Sequence, residues 1–267
     1  MVEVAALQVY PVKSCAGIAY EQVVLDARGF AHDRGWMIVD GHDEFVTQRE
    51  HPRLALITPQ LDAGMLHLTT PEGQTLAVPT AGSSGPTRHV RVWRDRCEAV
   101  DQGNEAAQFF SDWLGESVRL VKMADDYKRQ VNPDYTQTPA ITGFSDGFPL
   151  LLISEASLGD LNSRLASPLP MNRFRPNLVV KGCGRFAEDG WQQLKIGSIV
   201  FDVAKSCDRC AVTTTDQTTG ARGVEPLRTL ATYRRAGAKV YFGQNIIHRA
   251  EGTIAVGTPV EVVPRVR

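Results

Sequence analysis

Apolar residues in this chain come in short runs, each cut off by glycine, proline, aspartate or asparagine. Runs of that size, many of them alternating apolar with polar, suit strands and are too short for helices with a hydrophobic face. Residues 4–10 are apolar and end at Pro11, and 22–25 repeat the pattern. Residues 36–39 and 44–47 flank Asp40-Gly41-His42-Asp43, a hairpin turn by composition. Residues 54–57, 65–68 and 75–78 predict a meander with turns at 62–64 and 71–73. Residues 80–86 read as loop, and 88–93 alternate like a half-exposed strand.

Helical spacing is confined to three places. Ala106, Ala107, Phe109, Phe110, Trp113 and Leu114 share one face, and Gly115 supplies the stop. Residues 155–165 carry Leu158, Leu161 and Leu165 on one face, with Ser154 as N-cap. A third helix opens on Pro226 and runs through Leu227, Leu230 and Tyr233, with Gly237 just beyond. Residues 125–147 are polar, contain Pro133 and Pro139, and lack periodicity, which marks a linker or functional loop. Strands resume at 177–181, 193–204, 211–215, 239–242 and 253–263. The expectation is an α+β, β-rich chain with few helices, divided near 125–147.

With 267 residues, there is room for one large or two modest domains. Charge is balanced, 29 Lys and Arg against 30 Asp and Glu, which argues against nucleic acid as a partner. No basic-then-apolar start marks a secretory signal. No run approaches the ~18 apolar residues of a membrane span. The expected setting is the cytoplasm, where the odd set of five cysteines stays reduced. Most of them are expected to be small core residues.

Four segments could carry chemistry. Cys207-Asp208-Arg209-Cys210 admits three readings: half a zinc site, a redox dithiol, or one thiolate for a soft metal with Arg209 favouring ionisation. Zinc lacks further ligands in a suitable pattern. A redox pair should open a helix, whereas 211–215 is β-branched. Structural thiols are the bland alternative. Tyr10-Pro11-Val12-Lys13-Ser14-Cys15-Ala16-Gly17 brings ammonium, hydroxyl and backbone amides to a turn, which suits an anion. Arg34, just before a buried-looking strand, points into a cleft or pairs with Asp33. Arg175 and Asn177, two apart in extended chain around Pro176, are expected to face one side, where a guanidinium beside an amide suits a phosphate or polar heterocycle. Together these residues would match an anionic, heteroaromatic, metal-bearing group.

The chain resembles the MOSC family, named for the molybdenum cofactor sulfurase C-terminal domain. The first part resembles the family's N-terminal β-barrel-like domain through Tyr10-Pro11-Val12-Lys13-Ser14, His32-Asp33-Arg34 and Thr47-Gln48-Arg49-Glu50-His51-Pro52. The rest resembles the MOSC domain through Ile153-Ser154-Glu155-Ala156-Ser157-Leu158, Arg173-Phe174-Arg175-Pro176-Asn177, Cys207-Asp208-Arg209-Cys210 and Glu225-Pro226-Leu227-Arg228-Thr229-Leu230. Within the family the nearest branch is that of the mitochondrial amidoxime-reducing component and its bacterial relatives. The resemblance implies an N-terminal β-barrel-like domain over 1–125 and a MOSC-type β-barrel with peripheral helices over 126–267.

It further implies a molybdenum–molybdopterin cofactor, without pyridoxal phosphate, and an oxidoreductase that removes oxygen from N-hydroxylated compounds such as amidoximes and hydroxylaminopurines. Cys210 would be the molybdenum ligand and catalytic residue. Lys13, Ser14 and Arg34 would hold the phosphate and its surroundings, Asp146 and Gly147 would form a pterin-contacting loop, and Arg175, Asn177 and Arg209 would complete the site. Asn245 falls where eukaryotic relatives carry a tyrosine near the cofactor; Cys207 has no assigned role. Since the chain shows neither a dinucleotide fingerprint nor an iron–sulfur pattern, a separate donor is expected: a flavin, ferredoxin or cytochrome b5-like reductase. Two other classes remain in view: a sulfur or molybdenum-cofactor carrier with a persulfide on Cys210, and a non-catalytic barrel with structural cysteines.

Overall fold

The computed structural model describes residues 1–82, 85–136 and 138–263. The expected loop at 80–86 thus falls partly outside the described residues, at 83 and 84. Nineteen strands and three α-helices are formed among the described residues, which makes the chain α+β and strand-dominated.

The largest sheet has nine strands. Its order is β19 (Val260–Val263), β14 (Gln193–Ile196), β15 (Ile199–Asp208), β17 (Lys239–His248), β12 (Leu150–Ser154), β13 (Leu178–Lys181), β1 (Glu3–Val9) and β2 (Ile18–Tyr20), with β16 (Arg235–Ala236) added to β17. The β12–β13 pair is parallel, while β1 runs antiparallel to β13. A second sheet joins β5 (Trp36–Val39), β11 (Arg119–Met123), β10 (Asp95–Asp101) and β9 (Thr87–Val92). A third joins β18 (Gly252–Ala255), β3 (Gln22–Asp26) and β4 (Gly29–Phe30). The expected meander is β6 (Thr58–Asp62), β7 (Met65–Thr69) and β8 (Thr75–Pro79), whose apolar side chains alternate into the core.

The first strands are therefore built into the later half of the chain. Of seventeen buried residues in one of the two largest apolar clusters among the described residues, six come from the first thirty positions: Val4, Leu7, Val9, Val23, Leu25 and Phe30. Their partners include Leu152, Leu178, Phe201 and Ile254. A separate core gathers Trp36, Leu54, Leu66, Phe110 and Trp113 under the helix α1 (Gly103–Leu114). Gly115 ends α1 in the left-handed conformation at φ 75°, as its position after the apolar face predicts. The helix α2 (Glu155–Asn162) starts at Ser154, whose hydroxyl accepts from Ser157 N at 3.1 Å. The buried carboxylate of Glu188 accepts from both serine hydroxyls, which fixes the start of α2 to the following loop.

Several elements differ from the sequence expectation. Residues 54–57 belong to a 3-10 turn, Pro52–Leu56, because Pro52 at its start fixes a helical φ and the run is too short for periodicity to decide. Residues 211–215 are not a strand either: Ala211–Thr214 forms a 3-10 turn. There Thr213 Oγ1 donates to Cys210 O at 3.0 Å and Thr214 Oγ1 to Ala211 O at 2.8 Å, so local hydroxyl bonds outweigh β-propensity. The expected strand 193–204 is a hairpin, β14 and β15, and 253–263 is two strands that belong to different sheets. Only Leu227–Leu230 of the third helix, α3, is helical. The turn at 40–43 forms as expected, but its second arm makes single bridges rather than a strand.

Candidate functional site

The site is assembled from chain segments that leave strands. Lys13 and Ser14 follow β1, where Lys13 N donates to Trp36 O at 2.9 Å. Arg34 lies in the turn between β4 and β5, its N–H on Tyr10 O at 2.8 Å. The loop 140–149 is locked against that turn, for Phe144 N donates to Arg34 O at 2.7 Å. Gly143 permits the approach: a Cβ there would sit 2.7 Å from Arg34 O and 3.0 Å from Asp33 O. Arg209 and Cys210 follow β15, and Asn245 lies on β17.

These segments enclose a cavity of about 390 Å³. Lys13, Ser14, Arg34, Asp146, Gly147, Arg175, Asn177, Arg209, Cys210 and Asn245 all line it, so the sequence-derived candidates are brought together in one place. Seven basic side chains line the wall, with Asp146 and Asp208 as its only carboxylates.

The extended backbone expected around Pro176 is not found. Arg175 closes the 3-10 turn Met171–Phe174 in the left-handed region, at φ 53°. Proline disfavours the right-handed helical region for its predecessor and ordinarily sends it to extended backbone; the end of the turn places Arg175 in the left-handed region instead. Arg175 and Asn177 reach the cavity regardless, through the turn rather than through strand alternation. Ser14 at φ 75° and Arg34 at φ 46° share this conformation, so three non-glycine residues of one cavity hold backbone that costs of the order of 1 kcal/mol or more each. Such strain persists where surrounding contacts over-determine it.

Those contacts are dense. The Arg34 and Arg175 guanidinium carbons each lie 4.3 Å from the ring centroid of Tyr10. Arg34 Nη1 donates to Asp33 Oδ2 at 2.5 Å and to Asn177 Oδ1 at 2.9 Å. Both alternatives read for Arg34, cleft and ion pair with Asp33, are therefore realised together. Asn177 Nδ2 donates in turn to Gln8 O at 3.1 Å. Burial draws the pKa of Arg175 down to about 10, so it stays cationic at neutral pH.

Also in the cavity lining, Lys13 Nζ donates to Asp146 Oδ1 at 2.5 Å and to Phe144 O at 2.8 Å. Trp93 Nε1 donates to the same carboxylate oxygen at 3.0 Å. The Asp146 side chain is 62% exposed; the desolvation that raises its pKa at the cavity rim is outweighed by the Lys13 charge and the two hydrogen bonds, which hold the carboxyl well below the usual range. Burial likewise pulls Lys13 down, against Asp146.

The two cysteines of the C-x-x-C differ. Cys207 Sγ accepts from Arg209 Nη1 at 2.9 Å, and burial raises its pKa despite that guanidinium. Cys210 starts the 3-10 turn that replaces the expected strand, and it also lines the cavity. Arg209 Nη2 donates to Phe174 O at 2.7 Å, while its buried Nε has no partner. The remaining thiols are structural: burial pushes Cys15 up to about 12 and Cys97 up to about 11. All five cysteines are free.

Sequence reasoning missed Arg49, Trp93, Lys205 and Lys239 in the cavity wall. Arg49 stood inside a quoted motif, so its signal was available. Trp93 was counted into a strand, yet it turns the β9–β10 hairpin at φ 58° and stacks under Arg49 at 4.4 Å. Gln48, also within that motif, exchanges two amide hydrogen bonds with Gln217 at 3.1 and 3.0 Å, tying the 47–52 segment to the chain beyond Cys210.

Known proteins align with this arrangement. Residues 1–117 match the MOSC N-terminal beta barrel domain and 140–261 the MOSC domain. "Mitochondrial amidoxime-reducing component 1" of Mus musculus is 36% identical over 96% of this chain and 81% of its own length. "Mitochondrial amidoxime reducing component 2" of Homo sapiens is 36% identical over 86% of this chain and 72% of its own length. Among solved structures, the YUAD protein from Bacillus subtilis is 9% identical, with a TM-score of 0.42 over 97% of this chain and 94% of that one.

Proposed function

From the premise that this chain belongs to the MOSC family, we propose that it is a molybdenum-cofactor-dependent oxidoreductase that reduces N-hydroxylated compounds. The observation that carries this reading is the placement of Cys210 in a cavity walled by seven cations, in a chain similar to amidoxime-reducing components. The residues present fit such a cofactor. A thiol suits a soft metal, and the cations suit a phosphate. The unpartnered Nε of buried Arg209 is a donor that lacks an acceptor within the protein. Among the described residues no three of His, Cys, Asp or Glu form a metal site, so a metal held by Cys210 takes its other donors from the bound group.

In this reading Cys210 is the metal ligand. Lys13, Ser14 and Arg34 hold the phosphate, Arg175, Asn177 and Arg209 hold the pterin, and Asp146, Gly147 and Asn245 complete its surroundings. When bound, the molybdenum cofactor supplies the two-electron chemistry that removes oxygen from an N-hydroxylated nitrogen. The protein's share is binding and orientation. Arg34 and Arg175, fixed on Tyr10, present charge without moving. The Lys13–Asp146–Trp93 set braces another part of the lining. Cys207 is held by the Arg209 guanidinium, at 2.9 Å from Nη1.

Electrons come from a separate flavin, ferredoxin or cytochrome b5-like donor. No helix among the described residues is long and apolar enough to cross a membrane. Our reading places the protein in the cytoplasm, where five free thiols persist, and divides the sequence, though not the sheets, into a barrel-like unit over 1–125 and a MOSC unit over 126–267, with β1 to β4 of the first unit built into sheets of the second.

The test is metal and pterin analysis of the wild type beside Cys210→Ser, with amidoxime reduction driven by a chemical electron donor. Molybdenum and activity are expected in the wild type, and both should be lost in the variant while its circular dichroism is unchanged. Metal and activity that survive Cys210→Ser would sink the assignment. Metal-free wild type that accepts sulfane sulfur on Cys210 would favour the carrier.

A further inference from the structure

A second cavity, about 670 Å³, adjoins the first and shares two wall residues with it, Lys205 and Lys239. It is bounded by β15, the β16–β17 hairpin and the 3-10 turn that carries Tyr135. Three tyrosines and four cations line it, and no carboxylate does. Two of these cations are answered within the fold: Arg234 pairs with Asp189 at 2.6 Å, and Lys239 with Asp208 at 2.9 Å. The other two form no ion pair among the described residues, although the Lys205 charge also acts on Asp208. Lys205 Nζ lies over the Tyr135 ring at 4.9 Å and the Phe148 ring at 5.8 Å, on the wall between the cavities. Arg235 is exposed and has no ion-pair partner among the described residues.

Lys205 over two aromatic rings, the exposed Arg235 and a lining without carboxylates among the described residues equip the second cavity for a planar apolar body that carries an anion. Tyrosine rings offer faces for stacking, and guanidinium offers a fork for carboxylate or phosphate.

We propose that the second cavity is the subsite for the anionic end of the substrate, so that the enzyme selects N-hydroxylated aromatic compounds bearing a carboxylate or phosphate. This rests on the amidoxime-reducing reading of the first cavity. The N-hydroxylated end lies in the first cavity, the ring passes Lys205, and the anion meets Arg235. Arg235 lines only the second cavity, so its charge can be changed without touching the cofactor site.

The experiment compares benzamidoxime, its para-carboxylate and its para-phosphate with the purified holoprotein. Binding is read by calorimetry, and reduction by a chemical electron donor, in wild type and Arg235→Glu. Wild type should bind and reduce the anionic compounds with about tenfold advantage in Kd and KM over the neutral one, and the advantage should shrink at high ionic strength. In Arg235→Glu the advantage should vanish while values for benzamidoxime hold. The arm with the larger advantage identifies the preferred anion. Equal affinities in the wild type, or a preference that survives Arg235→Glu, would overturn the subsite. An Arg235-dependent preference in binding with no reduction of any amidoxime would leave the anion site standing and sink the reading of the first cavity instead.

Discussion

At the scale of single residues, the cavity depends on charges that hold one another. Asp146 is the clearest case, since Lys13 and Trp93 both donate to one of its oxygens. Its carboxyl titrates below the ordinary value of about 3.9. A group depressed in the folded state adds stability that is complete above its unfolded pKa and is lost as pH falls towards the folded one. The wild type should therefore exceed Asp146→Asn in thermal midpoint at pH 6, and the gap should narrow by pH 3. A gap that stays constant across that range would show that the ionised carboxylate contributes nothing. Residues of this kind were legible wherever a short motif held them, as with Lys13, Arg34, Arg175 and Cys210. Trp93 and Lys205 were not. Each reads locally as one position of an alternating strand, and only the meeting of distant segments gives it a role.

At the scale of elements, two anchors can be tested. Asp101, at the end of β10, is buried; it accepts from Gly103 N at 2.9 Å at the start of α1 and from Arg119 Nη2 at 2.9 Å. Asp101→Asn keeps the shape but removes the charge, and it should cost about 2–3 kcal/mol in urea unfolding. The second anchor is the loop 140–149. Gly143→Ala would press a methyl against the backbone of the 33–34 turn. It should lower stability by about 1–3 kcal/mol and reduce molybdenum retention, because Asp146 and Phe144 move with the loop. A variant that keeps both its urea midpoint and its metal content would refute the loop's positioning role. The long periodic elements were readable from sequence, α1 and the β6–β8 meander above all. Short ones were not: threonine hydroxyls turned 211–214 into a 3-10 turn, and Pro52 did the same for the run that follows it.

At the scale of the whole molecule, no sequence pattern disclosed that β1 to β4 are built into sheets completed by the last third of the chain. Period-two alternation states which face of a strand is buried but not which strand covers it. A fragment of residues 126–267 would expose β13 as an edge and leave Leu178 and Val180 without their partners on β1. Such a fragment should show no cooperative unfolding transition, whereas the intact chain should; a fragment that melts cooperatively would contradict this account. The same interleaving bears on how the protein is made. On the ribosome, β1 is synthesised some 170 residues before its neighbour β13. Closing so long a loop is slow compared with local pairing. The meander and α1 can pack as soon as they leave the exit tunnel, but the large sheet must wait. A site that needs both Lys13 and Cys210 can only be finished once the intervening two hundred or so residues have been made, so loading of a cofactor must follow the joining of distant parts of the chain.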